Sequence, residues 1–215
     1  MSDFNKKPRI SIIDTGTSNL RSVFYAIKKN NCEPIIINHN NNYDENTDAI
    51  VVPGVGSFLS VMNHLKKNEL DKTIYRAIQK NKPSMFICVG MQILFSESQE
   101  FGSHKGLDIF GGKIKKIPTS NNGQKKRIIP MIGWNKITVL KDDYILKKQN
   151  KSFFYFAHSF YAEPSDKKII SSKVHYSNFD YCSSISNNKI FAFQFHPEKS
   201  GERGLEIYQR FIELV

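Results

Sequence analysis

Cys88, His196 and Glu198 are the side chains whose types and surroundings together could do chemistry. A cysteine sulfur is a nucleophile in its thiolate form. An imidazole can take its proton, and a carboxylate two residues from the imidazole can fix which ring nitrogen carries hydrogen. Cys88 ends the apolar run Ser84-Met85-Phe86-Ile87, and Gly90 follows two residues later. That pattern reads as a buried strand turning sharply into a helix, which projects a nucleophile from the carboxyl edge of a sheet. The first amides of the helix would favour the anionic sulfur. An inert buried thiol is an equally good reading of Cys88 on position alone. His196 closes the run Ile190-Phe191-Ala192-Phe193-Gln194-Phe195 and precedes Pro197-Glu198, so the strand stops there and the ring can point off the sheet. Cys32 and Cys182 lack such surroundings and read as structural.

A second feature is Pro53-Gly54-Val55-Gly56, which follows the run Ala49-Ile50-Val51-Val52. Its glycines let backbone amides approach a ligand and allow a peptide to turn over. An amide here and that of Val89 could donate to a tetrahedral oxyanion, one such donor being worth about 3 kcal/mol of barrier. Taken alone, the same residues are an ordinary turn between strand and helix. His158 ends an aromatic run and reads as a pocket-lining residue or a satisfied core histidine. His39, His64, His104 and His175 read as surface residues.

These groups need elements to hold them. In the first half, apolar runs at 9–13, 34–37, 49–52 and 84–87 alternate with helical spacing at Leu20, Val23, Phe24 and Ile27, then at 61–65 and 74–78. Strands joined through helices form a mostly parallel sheet covered on both faces. A helix is expected to start at Met91–Phe95. The second half holds short strand-like runs at 127–129, 136–139, 152–156 and 168–170, and an amphipathic helix from Gly204 to Val215. The expected architecture is α/β, with a mostly parallel central sheet flanked by helices and extra β-structure in the second half. At roughly 150 residues per domain, 215 residues point to one domain spanning the chain.

Composition narrows the function. No apolar stretch reaches the roughly 18 residues of a transmembrane helix. Residues Met1 to Lys7 lack the apolar core and cleavage site of a signal peptide, so a cytoplasmic protein is expected. The three cysteines show no paired spacing, which disfavours a disulfide framework or zinc site. The net charge is +11, but the basic residues are scattered among abundant Asn and Ile, without a basic helix or aromatic platform. They read as compositional bias, and no nucleic acid or membrane is expected as a partner.

Taken together, the segments resemble the glutaminase subunits of imidazole glycerol phosphate synthases, within the class I glutamine amidotransferases. The matching residues are Ile13-Asp14-Thr15-Gly16-Thr17-Ser18-Asn19-Leu20 with Ser22, Pro53-Gly54-Val55-Gly56, Cys88-Val89-Gly90-Met91-Gln92, Gly133-Trp134-Asn135, His158-Ser159, and Gln194-Phe195-His196-Pro197-Glu198-Lys199-Ser200-Gly201. They run in the family's order over nearly the whole chain. Cys-x-Gly-x-Gln and His-Pro-Glu mark the class broadly, and Pro-Gly-Val-Gly with Gly-Trp-Asn narrows it. The resemblance implies that Cys88 attacks the side-chain amide of glutamine, with His196 as base and then acid and Glu198 orienting it. It implies Val55, Gly56 and Val89 as the oxyanion hole, and Gly56, Gln92, Ser159 and Phe160 as the grip on glutamine. Trp134, Asn135 and Lys199 would meet a (β/α)8-barrel cyclase partner that receives the ammonia. No cofactor and no metal are implied. Phe86 stands where the family usually has Gly, Met131 where His is usual, and Phe160 where Tyr is common. Rival readings are a paralogue feeding ammonia to a sugar amidotransferase of surface-polysaccharide synthesis, a glutaminase of another pathway such as pyridoxal phosphate synthesis, and a silent regulatory module on the same fold.

Overall fold

The first apolar run forms β1 (Arg9–Ile13), whose Ile10, Ile12 and Ile13 are wholly buried. The computed structural model describes residues 7–17, 19–119 and 126–215. Ser18 of the first matched segment lies outside them, as do residues 1–6 of the stretch read for a signal peptide. The first half then runs α1 (Leu20–Lys29), β2 (Glu33–Ile37), β3 (Ala49–Gly54), α2 (Phe58–Lys67), α3 (Leu70–Gln79), β4 (Ser84–Cys88) and α4 (Val89–Gln92). α1 and α2 begin with polar caps for their orphan amides: the Asn19 side chain accepts from Ser22 N–H, and Ser57 from Ser60 N–H.

The second half supplies β5 (Phe95–Ser98), β6 (His104–Lys105), β7 (Phe110–Lys116), β8 (Met131–Val139), β9 (Phe153–His158), β10 (Phe160–Pro164), β11 (Ile170–His175), β12 (Asp180–Asn187), β13 (Ile190–Phe193) and α5 (Gly201–Ile212). The strand order is β2-β1-β3-β4-β13-β12-β10-β7-β5-β6, with β11, β8 and β9 branching from β12. The five strands from β2 to β13 are parallel throughout, and most pairs beyond β13 are antiparallel. β3 and β4 are buried at every residue, so both faces of this centre are covered. α1 packs with α5, and α2 with α3. No helix among the described residues is long and apolar enough to cross a membrane.

The register is what builds the site. β13 comes from the far end of the chain yet lies directly beside β4, pairing Phe193 with Ile87. β3 lies on the other side of β4 and pairs Gly54 with Cys88. The carboxyl ends of β3, β4 and β13 therefore stand abreast, where open parallel sheets bind ligands.

Five local expectations differ. The helix expected at Met91–Phe95 is the single turn α4, after which the chain enters β5. Residues 127–129 form no strand: Pro130 has no N–H to give a ladder, and buried Arg127 spends its guanidinium on the carbonyls of Pro118, Tyr176 and Ser177. Residues 167–169 form a 3-10 turn, capped by Asp166, before β11 begins at Ile170. The last strand stops at Phe193, and the closing helix begins at Gly201, three residues early.

Candidate active site

Cys88 is the last residue of β4 and takes φ +55° and ψ −112°, a conformation that non-glycine residues rarely adopt. Such strain persists where surrounding structure enforces it. Here Gly90 enforces the tight turn: a Cβ on it would stand 2.1 Å from the Val52 carbonyl oxygen. Phe86 does not prevent the elbow, being wholly buried within β4. α4 is only one turn long, so any dipole effect is short-ranged, but the Val89 N–H at its start has no carbonyl within the helix.

His196 follows β13 by three residues and is fixed at both ends. Its N–H donates to the Tyr155 carbonyl at 2.9 Å. The Ser200 hydroxyl donates to the His196 carbonyl at 2.6 Å and accepts the Tyr155 N–H at 3.0 Å. The ring Nδ1–H donates to Glu198 Oε1 at 2.8 Å, and both side chains are almost wholly buried. Burial lowers the His196 pKa, but the Cys88 sulfur beside it and the Glu198 carboxylate outweigh burial and raise it to about 10. A thiol, an imidazole and a carboxylate thus stand in line at the mouth of β4 and β13, the order needed for nucleophilic attack on a carbonyl or amide carbon.

A cleft of about 430 Å³ opens above the sulfur. Cys88, Val89, His196, Val55, Gly56, Gln92, Ser159, Phe160 and Lys199 all line it, so every residue expected to hold an oxyanion or grip a substrate is brought together. Trp134 and Asn135 lie outside the cleft. Trp134 is exposed and packs edge-on to Tyr155 at 6.2 Å, and the exposed Lys199 ammonium sits 5.8 Å from the same ring. Tyr155 in turn lies 6.3 Å from the His196 ring. Asn135 is half-buried and donates to Met131, which has turned inward and is 1% exposed.

Sequence reasoning singles out no role for four participants. Gln194 donates to the Cys88 sulfur at 3.7 Å while its oxygen accepts from Gln92 at 3.0 Å. A glutamine inside an otherwise apolar strand run is the available signal. Glu100 lines the cleft, and its carboxylate accepts the Phe58 N–H at the start of α2 at 2.6 Å. Thr17 donates its hydroxyl to the Val55 carbonyl at 2.5 Å, as Thr15 does to Pro53 at 2.9 Å. These bonds hold the Pro53–Gly56 segment, where Gly56 has φ +86°.

His158 fulfils both of its readings. It lines the cleft, yet its Nδ1–H donates to the Phe160 carbonyl at 2.8 Å and its Nε2 accepts from Tyr181 at 3.0 Å. Burial lowers its pKa to about 4, so it stays neutral. Of the four histidines expected at the surface, only His175 is exposed; His39, His64 and His104 are half-buried. The His64 ring is covered by Gly16, where a Cβ would stand 2.4 Å from Nδ1.

The family described as glutamine amidotransferase class-I matches residues 11–214. Imidazole glycerol phosphate synthase subunit HisH of Chlorobaculum tepidum is 37% identical over 205 residues, covering 95% of this chain and 99% of that protein. The protein of the same name from Methanocaldococcus jannaschii is 39% identical over 207 residues, covering 96% and 100%. Among solved structures, a glutamine amidotransferase from Thermotoga maritima superposes with a TM-score of 0.61 at 14% identity, covering 98% of this chain and 83% of that one. A chain of the PurLQS structure from Thermotoga maritima gives 0.72 at 21% identity, covering 97% and 99%. At such identities these two speak for the fold.

Proposed function

Because the chain belongs to the class I glutamine amidotransferase family, we propose that it is the glutaminase component of an imidazole glycerol phosphate synthase. It frees ammonia from glutamine and passes it to a (β/α)8-barrel cyclase. The observation that carries the reading is the Cys88–His196–Glu198 line opening on a cleft, in a chain 37% and 39% identical to two such subunits over nearly full length.

In this reading Cys88 Sγ attacks the carbon of the glutamine side-chain amide. His196 takes the thiol proton as the sulfur attacks, and its raised pKa suits it to hold that proton. The oxyanion that forms is held by the Val89 N–H and by an amide of the Val55–Gly56 turn. Collapse breaks the C–N bond, and His196 gives its proton to the departing ammonia. Water, deprotonated by His196, then cleaves the glutamyl thioester and releases glutamate. Glu198 keeps the ring's Nδ1 side bonded throughout. Gly56, Gln92, Ser159 and Phe160 grip the substrate, and the Glu100 carboxylate pairs with its ammonium group.

Trp134, Asn135 and Lys199 form the docking face for the barrel, with Tyr155 joining that face to His196. Turning the Val55–Gly56 peptide requires release of the Thr17 hydroxyl, which gives partner binding a means of switching the oxyanion hole. The whole chain, 1–215, acts as one domain in the cytoplasm. The cited relatives disfavour the rival in which a sugar amidotransferase receives the ammonia. The intact triad disfavours a silent module.

The test mixes the purified chain with its barrel cyclase, then measures glutamine hydrolysis with and without the cyclase's phosphorylated nucleotide. Hydrolysis that rises with partner and nucleotide, and Cys88 labelled by a glutamine-like electrophile, are expected. A chain that neither hydrolyses glutamine nor takes the label would overturn the reading.

A further inference from the structure

Glu198 gives His196 only one of its two oxygens. Oε1 accepts the imidazole N–H, while Oε2 is buried and meets no hydrogen-bond donor among the described residues. A buried carboxylate oxygen without a donor is costly, and native structures rarely leave one so. The Tyr208 hydroxyl is in the same position: its residue is wholly buried and the oxygen has no partner among the described residues.

The two orphans belong to elements in direct contact. Tyr208 is on α5, which packs against the Pro197–Lys199 turn that carries Glu198. The approach is tight at Gly204, where a Cβ would stand 1.8 Å from the Pro197 carbonyl oxygen. Tyr208 lies four residues on, so it shares this face of the helix. Side chains on a helix lean toward its N-terminus, which aims the phenol back along α5 toward the turn. After burial, the Glu198 charge is what raises the Tyr208 pKa.

We propose that Tyr208 is a positioning residue, whose hydroxyl donates to Glu198 Oε2 through one bridging water, and so fixes the carboxylate that orients His196. The proposal rests on the reading of Cys88, His196 and Glu198 as the catalytic set. Tyr208 touches neither substrate nor sulfur and acts only through Glu198.

Tyr208→Phe removes the hydroxyl and keeps the ring, so the packing of α5 survives. Two readouts are taken on the chain in complex with its barrel partner. The first is steady-state glutamine hydrolysis, in which kcat is expected to fall roughly ten-fold, the scale of one hydrogen bond to a charged group, with KM for glutamine unchanged. The second is the far-downfield proton NMR signal of the His196 Nδ1–H, expected to move or broaden. Unchanged kcat with an unchanged signal would overturn the proposal, and a higher Tm alongside them would mark the hydroxyl as merely buried. Wild-type protein and Cys88→Ala serve as controls. If wild type fails to hydrolyse glutamine, the catalytic reading fails by itself, and the NMR signal still decides whether Tyr208 governs the Glu198–His196 bond.

Discussion

Gln194 and Cys88 are neighbours only because β13 is inserted beside β4: the Gln194 amide donates to the Cys88 sulfur at 3.7 Å although 106 positions separate them. One end of the glutamine side chain holds the sulfur and the other is held by Gln92, which in turn donates to the Phe160 carbonyl. The Cys88 sulfur is thus anchored by a short chain of amides as well as by its strained backbone.

Replacing Gln194 with leucine keeps the size of a buried side chain but removes the donor. Alkylation of Cys88 by iodoacetamide at neutral pH should slow by about three- to ten-fold, the scale of a modest charge-assisted hydrogen bond. Mass spectrometry of the labelled cysteine reads this directly. An unchanged rate would mean the amide does nothing for the sulfur.

Glu198→Gln removes one of the charges that hold the His196 pKa up, so that pKa should fall from its raised value of about 10. The imidazolium becomes harder to form, and kcat should drop about ten- to a hundred-fold, less than the loss seen when a triad base takes the wrong tautomer. An NMR titration of the His196 ring gives the shift. A pKa that stays put would remove Glu198 from its orienting role.

His158 gives the fold a pH dependence. Its pKa is lowered by burial to about 4 in the folded chain, against 6.5 for the free side chain. Between these values the unfolded chain binds a proton that the folded chain refuses. The neutral histidine's contribution is therefore intact above about pH 6.5 and is lost as pH falls through about 4, a change of order 3 kcal/mol. Urea midpoints measured from pH 7 to pH 4 should fall more steeply for wild type than for His158→Gln. Parallel curves would show that His158 is not the group responsible.

Lys199 stands exposed over Tyr155 at the edge of the cleft. Lys199→Glu should weaken binding to the cyclase about ten-fold at low salt, with less effect as salt screens the contact. Titration calorimetry at several ionic strengths checks this. Affinity that is equal to wild type at every salt concentration would exclude a charged contact here.

Much of this site could be read from sequence because its main parts sit at strand ends, and strand ends announce themselves. Cys88 ends an apolar run at the turn that Gly90 permits, and His196 follows a run broken only by Gln194, three residues past the end of β13. Glu100 was not legible. It lies in a polar stretch beyond β5, and only the tertiary fold carries its carboxylate to the start of α2 and the cleft. Tyr208 was legible as a core residue of an amphipathic helix, but the helix pattern says nothing of what its hydroxyl faces. Residues 127–129 look like a strand by composition, yet Arg127 turns inward to bond three carbonyls, an arrangement set by segments up to 50 positions away. Phe86 raised the opposite issue: a bulky residue at a position where the family usually has glycine is absorbed by the core, and the turn at Cys88 is unaffected.

The central claim is that the Cys88 sulfur cleaves glutamine for a partner that consumes the ammonia. The direct measurement compares Cys88→Ala with wild type, each bound to the cyclase, with either glutamine or an ammonium salt as nitrogen source. Loss of imidazole glycerol phosphate formation from glutamine, with formation from ammonium retained, is the predicted result. Continued synthesis from glutamine by Cys88→Ala, or equal loss from both nitrogen sources, would contradict it.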